Sequence, residues 1–141
     1  MKVKNWMTPD PRVIEQSEPV RTAVLELLTG HMRHIPVTDD GRLVGIVSDR
    51  DLKQALPSIK AGASSQRYQA FMNGTSVGQL MTRDPLTCTP ETDVIDVVKQ
   101  FQDRKVGALP VVDGDRLVGI VTQTDMMRAF LAVLEDLAER E

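Results

Sequence analysis

The sequence predicts an α+β fold built from two copies of one β-α-β-β-α unit, packed sheet to sheet with pseudo-twofold symmetry. The first observation is an ungapped internal duplication with an offset of 74 residues: 10 of the 16 positions from Pro36 to Asp51 match those from Pro110 to Asp125. The second is the alternation of strand-like and helix-like apolar patterns in each copy. The third is length, because neither half of a 141-residue chain has enough residues for a sound core alone.

Breaker and capping residues mark where the elements of the first copy end. Asp10-Pro11 interrupts the lead-in, because a residue before proline is pushed out of the α region. Ser17-Glu18-Pro19 is typical of a helix start, and the apolar residues after it keep helical spacing up to Gly30. The predicted elements are a lead-in over 2–11, a strand over 12–15, a helix from 17–19 to Gly30, strands over 35–38 and 43–47, and a helix from Ser48 or Asp49 to Leu56.

A tight turn joins the last two strands of each copy. Asp39-Asp40-Gly41 and Asp113-Gly114-Asp115 each separate two apolar runs, which indicates a β-hairpin. The strand from Leu43 to Val47 is nearly all apolar, which predicts burial on both of its faces.

The second copy repeats this order after a segment that lies outside the duplication. Glycine and serine in that segment indicate a flexible linker over 58–76, with a turn of helix around 68–71. We therefore expect a first domain over 1–57 and a second over 77–141. The predicted elements of the second copy are a lead-in over 77–81, a break at Asp84-Pro85, a strand over 86–89, a helix starting at Pro90-Glu91, strands over 108–112 and 117–121, and a helix over 124–140.

Composition narrows the class of protein. A net charge of −3 argues against a general nucleic-acid binder, and no window approaches the roughly 18 apolar residues of a membrane span. The first residues show no signal peptide, and the single cysteine, Cys88, has no partner for an internal disulfide. We therefore expect a cytoplasmic protein that neither binds nucleic acid nor inserts into a membrane.

No spaced motif of a common catalytic site is present. The sequence has no Walker-type loop, no G-x-S-x-G and no H-E-x-x-H. His31 and His34 are three residues apart, but no cysteine or acid cluster completes a metal site. Cys88 in a predicted strand is expected to be a small buried residue rather than a nucleophile. We predict no enzyme activity, no metal and no catalytic cofactor.

The duplicated unit resembles the CBS domain, and the tandem pair resembles the CBS-pair (Bateman) module. The resemblance is carried by the Pro-Val-Asp type of turn, the Leu-Val-Gly-Ile-Val strand and the Ser/Thr-x-x-Asp that follows it. Residues 33–37, 45–52 and 56–58 look most like stand-alone bacterial CBS proteins of the acetoin-utilisation type. Those usually carry a further ACT domain, so this chain is expected to be a shorter relative or a piece of a longer protein.

The resemblance implies a regulatory sensor of AMP, ADP or ATP, with up to two sites in the cleft between the halves. It places the ribose-binding acid on Asp125 and Asp51 and the phosphate-facing hydroxyl on Thr122 and Ser48. The start of each first strand, Leu86 in the second half and Arg12 or Val13 in the first, is expected to close the other side near Thr82 and Thr8. The adenine wall falls on Val106, Gly107, Ala108 and Pro110, with Met32, Arg33, His34 and Pro36 as counterparts.

Elementary chemistry supports these residue types independently of the family. A carboxylate can accept both hydroxyls of a ribose diol, and a hydroxyl at a helix start suits a phosphate. Gly107 would let a flat base approach the backbone, and Arg33, His34 and Arg50 would supply positive charge for phosphates.

Two structural alternatives stay open for the same residues. Thr122, Ser48 and Asp49 are also ordinary helix caps, and capping alone would justify them. The acids are harder to explain in this way, since both copies keep them while flanking residues differ, and we favour ligand binding at Asp125. The extra charges of the first copy give its site a different phosphate preference or leave it without ligand.

At the level of function, the alternatives are a dimerisation adaptor that binds no ligand and a module for S-adenosylmethionine. An adaptor would dock on an unidentified enzyme or transporter. Stand-alone CBS pairs usually form disc-like homodimers, and the apolar face of the last helix would give this chain a surface to bury.

Overall fold

The protein is described by a computed structural model that covers residues 1–30, 32–57, 62 and 64–141. Its helices and strands confirm the α+β class and the two copies of one unit. In chain order they are β1 (Thr8–Pro9), β2 (Ile14–Glu15), α1 (Val20–Thr29), β3 (His34–Asp39), β4 (Arg42–Ser48), α2 (Asp49–Ala55), α3 (Ser65–Gly74), β5 (Thr82–Arg83), α4 (Val94–Arg104), β6 (Ala108–Asp113), β7 (Arg116–Thr122) and α5 (Gln123–Glu139), with short 3₁₀ helices at Val3–Asn5 and Val77–Gln79.

The chain forms two compact units that do not coincide with the two copies in the sequence. Met1–Pro11 and Leu86–Glu141 form one, the split unit, and Arg12–Pro85 forms the other, the continuous unit. The lead-in of the first copy therefore belongs to the unit that contains the second copy, and the lead-in of the second copy belongs to the unit that contains the first. From sequence order alone, each lead-in is expected to pack beside its own copy. The repeat could not correct this expectation, because it does not reveal with which copy a short segment packs.

The split unit has a three-stranded sheet in the order β1-β7-β6, with both strand pairs antiparallel. Helices α4 and α5 pack their apolar side chains on this sheet. The buried side chains of its core are Val3, Cys88, Val94, Val97, Phe101, Leu109, Val111, Val121, Met126 and Ala129.

The continuous unit has a four-stranded sheet in the order β2-β3-β4-β5, in which only the β2–β3 pair is parallel. Glu15 ties β2 to the hairpin, because its carboxylate accepts hydrogen bonds from the Thr38 hydroxyl at 2.8 Å and the Asp40 N–H at 2.9 Å. These hydrogen bonds lower the pKa of Glu15 below its ordinary value. The buried side chains of this core are Ile14, Val20, Ala23, Ile35, Val37, Val47, Leu52, Val77 and Met81.

A glycine in the longest strand of each unit lets a lead-in strand lie close beside it. A Cβ added to Gly119 would be 2.6 Å from the Met7 Sδ and 3.0 Å from the Thr8 carbonyl oxygen. A Cβ added to Gly45 would be 2.5 Å from the Met81 Sδ. A side chain at either position would therefore crowd the methionine and the backbone carbonyl of the adjacent lead-in strand.

The hairpins are confirmed, and their geometry explains the turn residues. Asp40 and Gly41 have φ angles of 52° and 83°, and Gly114 has a φ of 63°. Left-handed backbone matches the twist of the flanking strands, and glycine and aspartate adopt it most readily. Leu43 to Val47 is less buried than expected, since Val47 is buried but Leu43, Val44 and Ile46 are half-buried.

The turn of helix predicted around 68–71 is present and is longer than expected, since residues 65–74 of the predicted linker form helix α3. Ser64 caps this helix by accepting a hydrogen bond from the Arg67 N–H at 3.1 Å. Arg21 of α1 bonds to α3 through Asn73 and Gln69, each at 2.7 Å. The helix is polar on most of its surface, so apolar periodicity did not reveal it. Residues 58–61 and 63 of the predicted linker, and Ser58 of the family motif, lie outside the described residues.

Four element boundaries also differ from the prediction. Helix α4 starts at Val94 and not at Pro90, because the Asp93 carboxylate caps it by accepting the Ile95 N–H at 3.0 Å. Helix α1 has Pro19 at its cap position, and no side chain caps it. The strand predicted over 86–89 is only a single bridge between Cys88 and Val111, and the one predicted over 12–15 is limited to Ile14–Glu15. Strands β1 and β5 were not predicted.

Gly119→Ala is expected to lower the free energy of unfolding of the split unit. The added methyl group overlaps Met7 and the Thr8 backbone, and overpacking of this kind costs about 1–3 kcal/mol. Urea unfolding followed by circular dichroism measures the change. Gly74→Ala is the control, because nothing lies within 4 Å of an added Cβ there. Equal stability of Gly119→Ala and the wild type would contradict the close approach of β1.

Candidate ligand-binding site

The junction between β7 and α5 holds two of the predicted site residues of the split unit. Thr122 is the N-cap of α5, and its hydroxyl accepts the Asp125 N–H at 3.3 Å. The Asp125 Oδ2 in return accepts the Thr122 backbone N–H at 2.8 Å and its hydroxyl at 3.1 Å. This reciprocal arrangement is a capping box, which fixes the direction in which the helix leaves the strand.

The junction between β4 and α2 repeats this geometry in the continuous unit. The Ser48 hydroxyl accepts the Asp51 N–H at 3.1 Å, and the Asp51 Oδ2 accepts the Ser48 N–H at 2.9 Å. The alternative that Ser48 and Thr122 are helix caps is therefore confirmed, and each acid takes part in the cap. In each carboxylate the capping box uses Oδ2 and leaves Oδ1 for another partner.

The pairing of neighbouring strands places further predicted site residues next to each junction. In the split unit Ala108 pairs with Thr122, and Ile120 lies between Pro110 and Thr8. In the continuous unit His34 pairs with Ser48, and Ile46 lies between Pro36 and Thr82. The structure thus aligns Thr8 with the Asp125 junction and Thr82 with the Asp51 junction. Thr82 belongs to the continuous unit and Leu86 to the split unit, so their expected grouping in one site stays a prediction.

The segment before the first hairpin strand contacts the start of the following helix in both units. The Gly107 carbonyl accepts the Gln123 N–H at 3.3 Å, and the Arg33 carbonyl accepts the Asp49 N–H at 3.0 Å. Gly107 is half-buried and carries no side chain, so this backbone would remain accessible to a flat group.

The predicted site residues are distributed over both units. The split unit holds Thr8, Leu86, Val106, Gly107, Ala108, Pro110, Thr122 and Asp125, and the continuous unit holds Met32, Arg33, His34, Pro36, Ser48, Arg50, Asp51 and Thr82, together with Arg12 and Val13. Arg33, Arg50, Thr8, Thr82 and Leu86 are exposed, whereas Ala108, Pro36 and Pro110 are buried.

Sequence reasoning missed Arg128, which contacts Asp125 directly. The Arg128 Nη1 donates to the Asp125 Oδ1 at 3.2 Å, and its guanidinium lies 5.8 Å from the centre of the Trp6 ring. The i, i+3 spacing of acid and arginine on one helix is a signal that could have found the ion pair. The contact with Trp6 had no such signal, because it depends on where the lead-in packs.

Burial lowers the pKa of His34 below its ordinary value of 6.5. The nearby carboxylates of Asp49 and Asp51 oppose this effect, while Arg33 and Arg50 add to it. His34 is therefore neutral at pH 7 and offers one donor and one acceptor nitrogen, not a positive charge. Its expected role as a source of charge for phosphates stays a prediction, and the burial of the imidazole weighs against it.

Cys88 is buried in the core of the split unit, as predicted. Burial raises the pKa of its thiol to about 11, so the thiol stays protonated near neutral pH. A protonated, enclosed thiol is a poor nucleophile, which agrees with its interpretation as a packing residue.

Among the described residues, no group of three or more histidine, cysteine, aspartate or glutamate side chains is arranged to hold a metal ion. His31, the other histidine considered for such a site, lies outside those residues. No helix in the described part of the chain has the length and apolar character that a membrane crossing needs.

The repeated unit and its paired capped carboxylates define a tandem α+β repeat protein with one candidate site per unit. The family model for the CBS domain matches residues 3–58 and 77–132, so the chain belongs to the CBS domain family. One relative named as an enzyme, the homoserine O-acetyltransferase of Methanococcoides burtonii, is 30% identical to this chain over only 23% of its own length.

Three solved structures of relatives are similar to this chain over nearly its whole length. The solved structure of a protein of Vibrio cholerae assigned to acetoin utilisation (AcuB) is 30% identical, with a TM-score of 0.78, over 100% of this chain and 98% of that one. CBSX2 in complex with AMP is 32% identical, with a TM-score of 0.76, over 94% and 97%. The CBS domain pair of protein MJ0100, in complex with 5′-methylthioadenosine and S-adenosylmethionine, is 26% identical, with a TM-score of 0.77, over 94% and 97%. The chain spans 64% of the full length of the chloroplastic CBSX2 of Arabidopsis thaliana.

His34 is expected to make stability depend on pH. Its pKa is lower in the folded protein, so the unfolded chain takes up the proton first as pH falls through about 6.5. The free energy of unfolding should therefore decrease between pH 7.5 and pH 5.5, and His34→Ala should make this decrease shallower. Urea unfolding at the two pH values measures both slopes. An unchanged slope in His34→Ala would contradict the burial of this imidazole.

Proposed function

We propose that this protein is a regulatory module that binds an adenosine nucleotide, AMP, ADP or ATP, through the capped carboxylates Asp51 and Asp125. Binding would shift the equilibrium between two arrangements of the protein and so alter an enzyme or transporter that it regulates. A ligand can do this only through different affinities for the two arrangements. A cytoplasmic setting is part of this proposal.

One observation carries the proposal: both units place a carboxylate at the same strand-to-helix junction and leave its Oδ1 outside the capping box. A capping box needs only one oxygen and is formed equally well by glutamate or glutamine, so the cap alone does not require aspartate. An aspartate held rigidly by its cap is preorganised to accept the hydroxyls of a ribose.

The bound molecules in two relatives agree with this chemistry. CBSX2 binds AMP, and the MJ0100 pair binds 5′-methylthioadenosine and S-adenosylmethionine. All three ligands contain adenosine, so a ribose-binding acid would serve each of them. We therefore extend adenosine recognition from these proteins to this chain.

Charge favours a nucleotide over S-adenosylmethionine at the continuous unit. Arg33 and Arg50 are exposed beside the junction of β4 and α2, and His34 is neutral there. Guanidinium groups bind phosphate oxygens well, whereas S-adenosylmethionine has no phosphate to use them. Loss of both arginines should therefore weaken AMP more than S-adenosylmethionine.

A second candidate is a dimerisation adaptor that binds no ligand. The observation in its favour is the capping boxes themselves, which give Ser48, Asp51, Thr122 and Asp125 a structural role. On this account, the acids serve only to direct the helices.

Calorimetric titration with AMP, ADP, ATP and S-adenosylmethionine separates the two candidates. Asp51→Asn and Asp125→Asn keep a cap acceptor but remove the charge, and each should weaken nucleotide binding at its own site by about 10- to 100-fold, the cost of losing a charged hydrogen bond. Asp49→Asn is the matched control, because Asp49 is outside the capping box. Thermal melts verify that each variant is folded. Absence of heat and of thermal shift with all four ligands would favour the adaptor.

We also propose that the protein is a homodimer that buries the apolar face of α5. Six large apolar side chains on this helix are exposed in the single chain. An exposed apolar patch of this kind is typical of a protein–protein interface. The six side chains are Met127, Phe130, Leu131, Val133, Leu134 and Leu137.

Phe130→Glu is expected to convert the dimer into a monomer, because a buried charge would face the same apolar patch of the second copy. Sedimentation velocity at micromolar concentration measures the mass. Glu139→Lys, an exposed charge change on the same helix, is the control and should stay dimeric. A wild-type protein that sediments as a monomer with and without nucleotide would refute the dimer.

A further inference from the structure

Asp125 is the only carboxylate that is buried among the residues that the structure describes, with 6% of its surface exposed. Its Oδ2 belongs to the capping box, and its Oδ1 accepts from the Arg128 guanidinium at 3.2 Å. Burial of a carboxylate is costly unless its charge is compensated. Arg128 provides the compensation, so both oxygens of Asp125 already have partners within the protein.

Trp6 supports Arg128 in this position. The Arg128 guanidinium is 5.8 Å from the centre of the indole ring, within the range of a cation–π contact. Trp6 itself is half-buried and packs against the core of the split unit. The Arg128 side chain remains 61% exposed, so the guanidinium lies at the surface above a carboxylate that is buried.

The continuous unit has neither member of this arrangement. The duplication places Gln54 at the position of Arg128 and Leu80 at the position of Trp6. Asp51 is half-buried, and its Oδ1 has no hydrogen-bond partner among the described residues. The two copies therefore share the capping box and differ in what contacts the second carboxylate oxygen.

We propose that Arg128 is a specificity-determining residue that weakens adenosine binding at Asp125 relative to Asp51. The hydroxyls of a ribose must share Oδ1 with Arg128 or displace it, and displacement breaks an ion pair over a buried charge. Within the described part of the chain the Asp51 Oδ1 has no such competitor, so this site should fill at lower ligand concentration. This inference rests on the proposed function. It adds the prediction that the Asp51 site binds ligand before the Asp125 site does.

Arg128→Gln gives the second copy the glutamine that the first copy has at Gln54, and so isolates the effect of Arg128 on adenosine affinity. In the Asp51→Asn background, which leaves the Asp125 site, Arg128→Gln should tighten adenosine and AMP by about 1.5- to fivefold, the range of a partly exposed ion pair. Adenosine is neutral, so a change in overall charge alone leaves its affinity unaffected. Arg140→Gln is the control, since it removes the same charge from an exposed pair with Asp136 on the same helix.

The reverse exchange tests the first copy. In the Asp125→Asn background, Gln54→Arg places an arginine one turn beyond Asp51 and should weaken adenosine binding. The effect should be smaller than that of Arg128→Gln, because Leu80 provides no aromatic ring to hold the new side chain. Both affinities are measured by calorimetry at the same ionic strength.

Trp6 provides a second readout, because it is the only tryptophan in the chain. Displacement of Arg128 from its place beside the indole should change Trp6 emission when adenosine binds to the Asp51→Asn protein. The change should be much smaller in the Arg128→Gln protein, where no guanidinium leaves the ring.

The possible results separate this inference from the proposed function. Tighter adenosine binding in Arg128→Gln with no change in Arg140→Gln supports it. Binding that is unchanged or weaker in Arg128→Gln overturns it while the proposed function stands, and weaker AMP with unchanged adenosine would make Arg128 a phosphate ligand instead. Absence of binding in the wild type and in every variant overturns both.

Discussion

The hydrogen bond from the backbone N–H of Ser48 or Thr122 to the carboxylate three residues later is the interaction on which each site depends. It satisfies a backbone donor at the junction, fixes the helix direction and immobilises the carboxylate. The same bond thus serves stability and leaves one oxygen in a defined place. A structural role and a binding role are compatible here, because they use different oxygen atoms of one side chain.

The lead-in strands add a second constraint, since each completes a sheet beside the glycine of the longest strand. Gly119 accommodates Met7 and Thr8, and Gly45 accommodates Met81 and Thr82. Residues distant in sequence thereby reach the junctions, as Trp6 does in reaching Arg128. The composition of each site is consequently a property of the fold of the whole chain and not of one copy.

Local signals in the sequence were sufficient for most of the fold and much of the site. The Asp-Gly turns, the apolar strands and the capping residues act over a few positions, so the hairpins, α5 and the pairs Ser48–Asp51 and Thr122–Asp125 were predictable. Three features were not: which unit the lead-ins join, the polar helix α3, and the contact of Arg128 with Trp6. Each depends on packing between segments that are far apart in sequence, which periodicity and propensity do not encode. The burial that lowers the pKa of His34 was likewise not predictable from the sequence, because it depends on how the chain packs around the imidazole.

The duplication supplies an internal comparison that a single site would lack. The two junctions have the same backbone and cap, while the continuous unit carries Arg33, His34 and Arg50 and the split unit carries Gly107, Ala108 and Thr124 at the same positions. If the proposed function holds, a common ribose contact with different surroundings would give two unequal sites, which respond over different ranges of ligand concentration.

A crystal structure of the protein grown with AMP tests the central claim most directly. The account predicts the ribose hydroxyls within hydrogen-bond distance of the Asp51 Oδ1, with the Ser48 capping box intact. AMP bound elsewhere, with no contact to Asp51 or Asp125, would contradict the assignment of these carboxylates as the ribose-binding groups.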